Sequence, residues 1–102
     1  MSSVRVAETA DLAAGAIRRC DIGNRRIAVC RVGERTFAVE DRCSHDDGPL
    51  SGGTLVGAEI ECPRHGARFD LESGRALCMP AVTPVRVFPA ESRDGGIWVD
   101  LP

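Results

Sequence analysis

Two short runs hold the metal-binding chemistry of this chain: Cys43-Ser44-His45 and Cys62-Pro63-Arg64-His65, separated by the 16 residues 46–61. The chain has two histidines, and each stands within three residues of a cysteine. Thiolate sulfur is a soft donor and imidazole nitrogen a borderline one. Two such pairs converging favour iron–sulfur or zinc over magnesium or calcium, which take oxygen ligands. Zinc sites of two cysteines and two histidines usually pair like ligands within one loop. Here each loop is mixed, which favours a two-iron, two-sulfide centre held by Cys43, His45, Cys62 and His65, with a structural zinc site as the competing reading.

Mixed ligation has an electrostatic rationale. Two ferric ions, two sulfides and two thiolates sum to zero when both imidazoles are neutral. An all-cysteine site carries two more negative charges, so exchanging two thiolates for imidazoles makes an electron easier to add and raises the potential. Four ligands arriving from two directions require two loops that project side by side from strand ends.

The rest of the chain reads as strands able to hold such loops. Residues 4–7 suggest a first strand and 8–15 a loop. Residues 16–22 and 25–32 form a hairpin through Gly23-Asn24, a pair suited to a tight turn, and 36–39 alternate as a further strand. Cys43 follows directly, and its loop runs through Gly48-Pro49-Leu50 to a turn at Ser51-Gly52-Gly53. Residues 58–61 deliver Cys62; 67–71, 85–88 and 97–99 supply later strands, with turns at 72–74 and 93–96. Many short strands with Gly and Pro turns predict an all-β fold, an antiparallel β-sandwich or small barrel.

At 102 residues the chain has the length of one domain. Its apolar content is 43% but only 4% is aromatic, so the core must be aliphatic. The net charge of −2 argues against a nucleic-acid partner. All 13 basic residues are arginine, for which the sequence offers no functional account. The first ten residues lack the apolar run of a signal peptide, and no stretch approaches the roughly 20 apolar residues of a membrane span. Cys20, Cys30 and Cys78 lack disulfide-like spacing, which favours a reducing cytoplasm, and are expected as small buried side chains. Trp98 is expected in the core.

The pattern Cys-x-His, 16 residues, Cys-x-x-His, followed by Gly66 and later by Met79-Pro80-Ala81, resembles the Rieske iron–sulfur domain over nearly the whole chain. The resemblance implies one [2Fe–2S] cluster per chain. Cys43 and Cys62 would bind the inner iron and His45 and His65 the outer one. It also implies a single domain over 1–102, with a cluster-binding subdomain of two loops at about residues 41–82, covered by the proline-bearing loop.

Departures from the family pattern refine the expectation. Members in respiratory and photosynthetic complexes add a disulfide between the loops, but the matching residues here are Gly48 and Arg64. Those members also place serine and tyrosine hydroxyls where this chain has Ala67 and Phe69. Without these donors the reduced cluster loses stabilisation, so the potential belongs toward the bottom of the roughly −150 to +300 mV Rieske range.

The resemblance is to soluble Rieske ferredoxins of bacterial ring-hydroxylating oxygenase systems. It implies an electron carrier, not an enzyme, between a flavoprotein reductase and a terminal oxygenase. A terminal oxygenase needs a second iron held by two further histidines and a carboxylate, and both histidines are committed to the cluster. Asp46 and Asp47, with Arg42, Arg64 and Arg68, are candidates for docking charges, against the plainer reading of a solvated rim. A Rieske-type small subunit of a nitrite reductase and a ferredoxin of iron–sulfur cluster assembly are the alternative roles.

Overall fold

The computed structural model describes residues 2–44, 48–64, 66–79, 81 and 83–102. Cys43 and Cys62 are among them. His45 and His65, with Asp46, Asp47 and Pro80, lie outside the described residues.

The expected meander is present: β1 (Ser2–Glu8), a 3-10 turn (Thr9–Asp11), β2 (Ile17–Ile22), β3 (Arg25–Val32) and β4 (Arg35–Glu40). After the first ligand loop come a second 3-10 turn (Leu50–Gly52), β5 (Thr54–Val56), β6 (Glu59–Glu61), β7 (Arg68–Asp70) and β8 (Ala76–Cys78). The chain closes with β9 (Val87–Phe88), β10 (Ala90–Arg93) and β11 (Gly96–Leu101). These strands form three antiparallel sheets, ordered β1-β11-β10, β2-β3-β4-β9 and β5-β6-β7-β8.

The β2-β3-β4-β9 sheet is a wall between two cores. Side chains alternate across a strand, so Ile27 and Val29 of β3 face one way and Ala28 and Cys30 the other. The first pair packs with Leu12, Ala38, Phe88, Ile97, Val99 and Leu101. The second packs with Phe37, Val39 and the residues of the β5–β8 sheet. A strand covered on both faces reads as a continuous apolar run, which is why Ile27-Ala28-Val29-Cys30 shows no polar alternation.

The three strands absent from the sequence reading, β5, β8 and β10, are all sheet edges. An edge strand pairs on one side only and buries few side chains, so its sequence carries little period-two signal. In β10, Glu91, Ser92 and Arg93 are all exposed. The strand expected over 85–88 is shorter, pairing only through Val39↔Val87 and Ala38↔Phe88. The turn between β10 and β11 places Asp94 at φ 51° and Gly95 at φ 73°, the paired left-handed conformation that suits a two-residue hairpin.

Trp98 does not join the core as expected. On β11 the inward positions are Ile97, Val99 and Leu101, which leaves Trp98 on the opposite face, half-buried. There the Arg93 guanidinium lies 4.3 Å from its ring centroid. Among the described residues no helix is long and apolar enough to cross a membrane.

Candidate metal centre

Each cysteine of the motif sits just beyond the end of a strand. β4 ends at Glu40, and Cys43 is fully buried three residues later. Its N–H donates to the Gly48 carbonyl at 2.7 Å, which closes the first loop on itself. β6 delivers Cys62, 2% exposed, at its end. The second loop is held at both sides: the Cys62 N–H donates to Ala67 O at 2.7 Å, and the Gly66 N–H donates to Cys62 O at 3.2 Å.

The exit of the first loop touches the entrance to the second. A Cβ on Gly53 would overlap the carbonyl oxygen of Glu61, the residue before Cys62, and a Cβ on Gly52 would meet Pro63 Cγ at 3.8 Å. At position 53 only glycine permits this approach, whereas the contact at 52 is an ordinary one. The two thiols therefore belong to adjoining loops, and both join one core cluster with Leu50, Ile60, Ala67, Phe69 and Leu71.

A third segment packs onto the same cluster. Ala81, from the expected covering loop, is buried there, as is Val85. Ser44 Oγ donates to Thr83 O at 2.5 Å, tying the first loop to this segment. The Val85 N–H donates to Gly74 O at 2.8 Å. Met79 itself is exposed.

Among the described residues the site thus supplies two buried thiols on paired loops, neither in a disulfide. Sulfur donors screened from water and walled by apolar groups fit an iron–sulfur cluster, whose irons are thiolate-bound. The other two expected donors, His45 and His65, lie outside the described residues.

The remaining cysteines differ from one another. Cys30 is fully buried, and burial, followed by the negative charge of Asp41, pushes its thiol up to about 12. Cys20 is half-buried and packs against the second core; burial raises its thiol. Cys78 is exposed, contrary to expectation, because it sits on the edge strand β8. Its thiol lies 3.4 Å from Gly66 O as a donor. At about pH 8 the thiolate reagent iodoacetamide should label Cys78 in the native protein and leave Cys30 untouched. Peptide mass spectrometry showing equal labelling would contradict the burial of Cys30.

Of the expected docking charges, Arg68 lies 3.9 Å from both Glu59 and Glu61, and Arg42 lies 3.7 Å from Glu40, so local carboxylates partly offset both. Arg64 is exposed. The sequence reading passed over Asp41, the one buried charged residue among those described. The available signal was an acidic residue two positions before the first ligand, at the end of an apolar strand.

Paired cysteine loops on a small all-β scaffold suit an iron–sulfur domain. The family model described as Rieske [2Fe-2S] domain matches residues 2–89, and the chain belongs to that family. It is similar to the 3-phenylpropionate/cinnamic acid dioxygenase ferredoxin subunit of Escherichia coli K12, at 39% identity over all of this chain and 96% of the relative. Its fold is similar to the ferredoxin of carbazole 1,9a-dioxygenase from Nocardioides aromaticivorans IC177, with a TM-score of 0.94, 32% identity and complete coverage of both chains. It also matches a chain in the complex of reduced oxygenase and oxidized ferredoxin in carbazole 1,9a-dioxygenase, with a TM-score of 0.89, 37% identity and coverage of 98% of this chain and 97% of that one. The chain is an electron-transfer component, not a catalytic subunit, and its cofactor is one [2Fe–2S] cluster.

Proposed function

We propose that this chain is the ferredoxin of a multicomponent oxygenase, taking electrons one at a time from a flavoprotein reductase and passing them to a terminal oxygenase in the cytoplasm. In this reading Cys43, His45, Cys62 and His65 hold the cluster, within a single domain over 1–102 whose cluster-binding region spans about 41–82. The observation that carries it is the pair of buried thiols on loops joined at Gly53 and Glu61, in a chain similar over its full length to dioxygenase ferredoxins.

Bound, the cluster supplies one-electron chemistry. The residues of this chain supply its setting. Cys43 and Cys62 anchor from the buried side, and Leu50, Phe69 and Ala81 keep water from the sulfur donors. The backbone hydrogen bonds from Cys43 to Gly48 and from Cys62 to Ala67 hold the two cysteines in place.

The relatives described above serve dioxygenases, which favours this role over nitrite reduction or cluster assembly. Purifying the chain with its native partners tests the choice. A flavoprotein reductase and an oxygenase should copurify; a sirohaem reductase or a cysteine desulfurase in their place would overturn the assignment.

Ala67 and Phe69 are both fully buried in the cluster-side core, and neither offers a hydroxyl. The double variant Ala67→Ser, Phe69→Tyr should therefore raise the midpoint potential in a redox titration, because added donors stabilise the more negative reduced state. An unchanged or lower potential would refute the hydrogen-bond account.

A further inference from the structure

Asp41 occupies an unusual place. Its side chain is fully buried, two residues before Cys43, and its backbone N–H donates to Arg26 O at 2.8 Å. Both carboxylate oxygens accept hydrogen bonds from one residue on the far side of the loop. The Ser51 N–H donates to Oδ1 at 2.6 Å, and Ser51 Oγ donates to Oδ2 at 2.7 Å. The pair closes the base of the loop that carries Cys43. An acceptor-only arrangement of this kind suits an ionised carboxylate.

A buried ion is costly unless it is compensated, and here compensation is partial. Among the described residues the nearest cation, Arg19 Nε, stands 3.8 Å from Oδ2, while the same nitrogen makes a closer contact of 3.3 Å with Asp21. The Arg19 side chain is 47% exposed, so solvent weakens its hold further. Closing the loop does not require a charge: a neutral amide at position 41 could accept from the Ser51 N–H and donate to Ser51 Oγ, reversing the second bond. The loop could be closed without a carboxylate, yet a net negative charge remains in low dielectric beside the metal loop.

We propose that Asp41 is a tuning residue whose fixed charge holds the reduction potential down, with Arg19 as a partial counter-charge acting in the opposite sense. The inference rests on the electron-carrier reading above. Adding an electron to the centre brings negative charge toward Asp41, and the repulsion is screened less in the interior than at the surface. Ser51 serves as its positioning residue.

Two variants, titrated with their clusters in place, test it. Asp41→Asn keeps the shape and an acceptor for the Ser51 N–H but removes the charge. It should raise the equilibrium constant for reduction about tenfold, which is 59 mV for one electron. Arg19→Gln, on the exposed rim, removes the counter-charge without touching the loop and should shift the potential downward by a smaller factor. Opposite signs are the signature of electrostatics, because a purely structural clamp gives no reason for them. Coloured variants whose potentials do not move, or move in the same direction, overturn the inference alone. If Asp41→Asn fails to fold, Arg19→Gln decides by itself: a downward shift supports the inference, and an unchanged or raised potential overturns it. A wild-type chain that binds no iron overturns the electron-carrier reading and this inference with it.

Discussion

A Cys62→Ala chain purified without oxygen should be colourless, and its iron content should fall from about two per chain to near zero. The substitution removes one sulfur atom from a site walled by apolar side chains. The packing loss is on the order of 1 kcal/mol, too small to unfold a typical domain with roughly 5–15 kcal/mol of stability. Loss of colour therefore reports a lost ligand. Loss of the metal adds a separate penalty, because binding free energy is also folding free energy, so the melting temperature should fall as well. Cys78→Ala is the matched control: an exposed cysteine on the edge strand β8, it should leave iron and visible absorption unchanged. A coloured Cys62→Ala protein with full iron would remove Cys62 from the ligand set.

The second large effect is expected at Gly53, for a reason independent of metal. Its φ of −89° is open to any residue, so no conformational penalty attaches to alanine there. Space decides the outcome: the new Cβ would overlap the Glu61 carbonyl, which is backbone and cannot swing aside. Forcing β5 and β6 apart should cost about 3 kcal/mol or more, and it moves the residue that precedes Cys62. Chemical denaturation of Gly53→Ala should show that loss, with reduced iron retention beside it. Gly57→Ala provides the contrast. Its Cβ meets nothing within 4 Å, and at φ 58° it pays only the left-handed backbone penalty of about 1–2 kcal/mol. Equal effects at the two positions would mean that the loops are not joined where the structure places the contact.

What the sequence revealed and what it concealed divide along physical lines. The family pattern, the Gly23-Asn24 hairpin and the strand into Cys62 were legible because each is a local pattern: a spacing, a turn chemistry, an alternation. The edge strands β5, β8 and β10 were not, since their hydrogen bonds depend on neighbours distant in sequence and their side chains stay largely in water. Trp98 was misplaced for a related reason, as a large aromatic on a strand does not announce which face it takes. Asp41 was passed over because an aspartate at a strand end normally reads as solvated, so its position two residues before Cys43 did not suggest burial. Only its partner Ser51, ten positions along, gives it a buried role.

The dual-faced β3 strand constrains which changes the chain can tolerate. Its two sets of side chains interleave on one backbone, Ile27 and Val29 toward the β1-β11-β10 sheet and Ala28 and Cys30 toward the ligand loops. A slip of one residue would exchange them, driving the bulky pair into the metal side and leaving the small pair to fill the other. Insertions or deletions in β3 are thus penalised twice over, once in each core. The core without the motif cysteines thereby constrains the core that holds them.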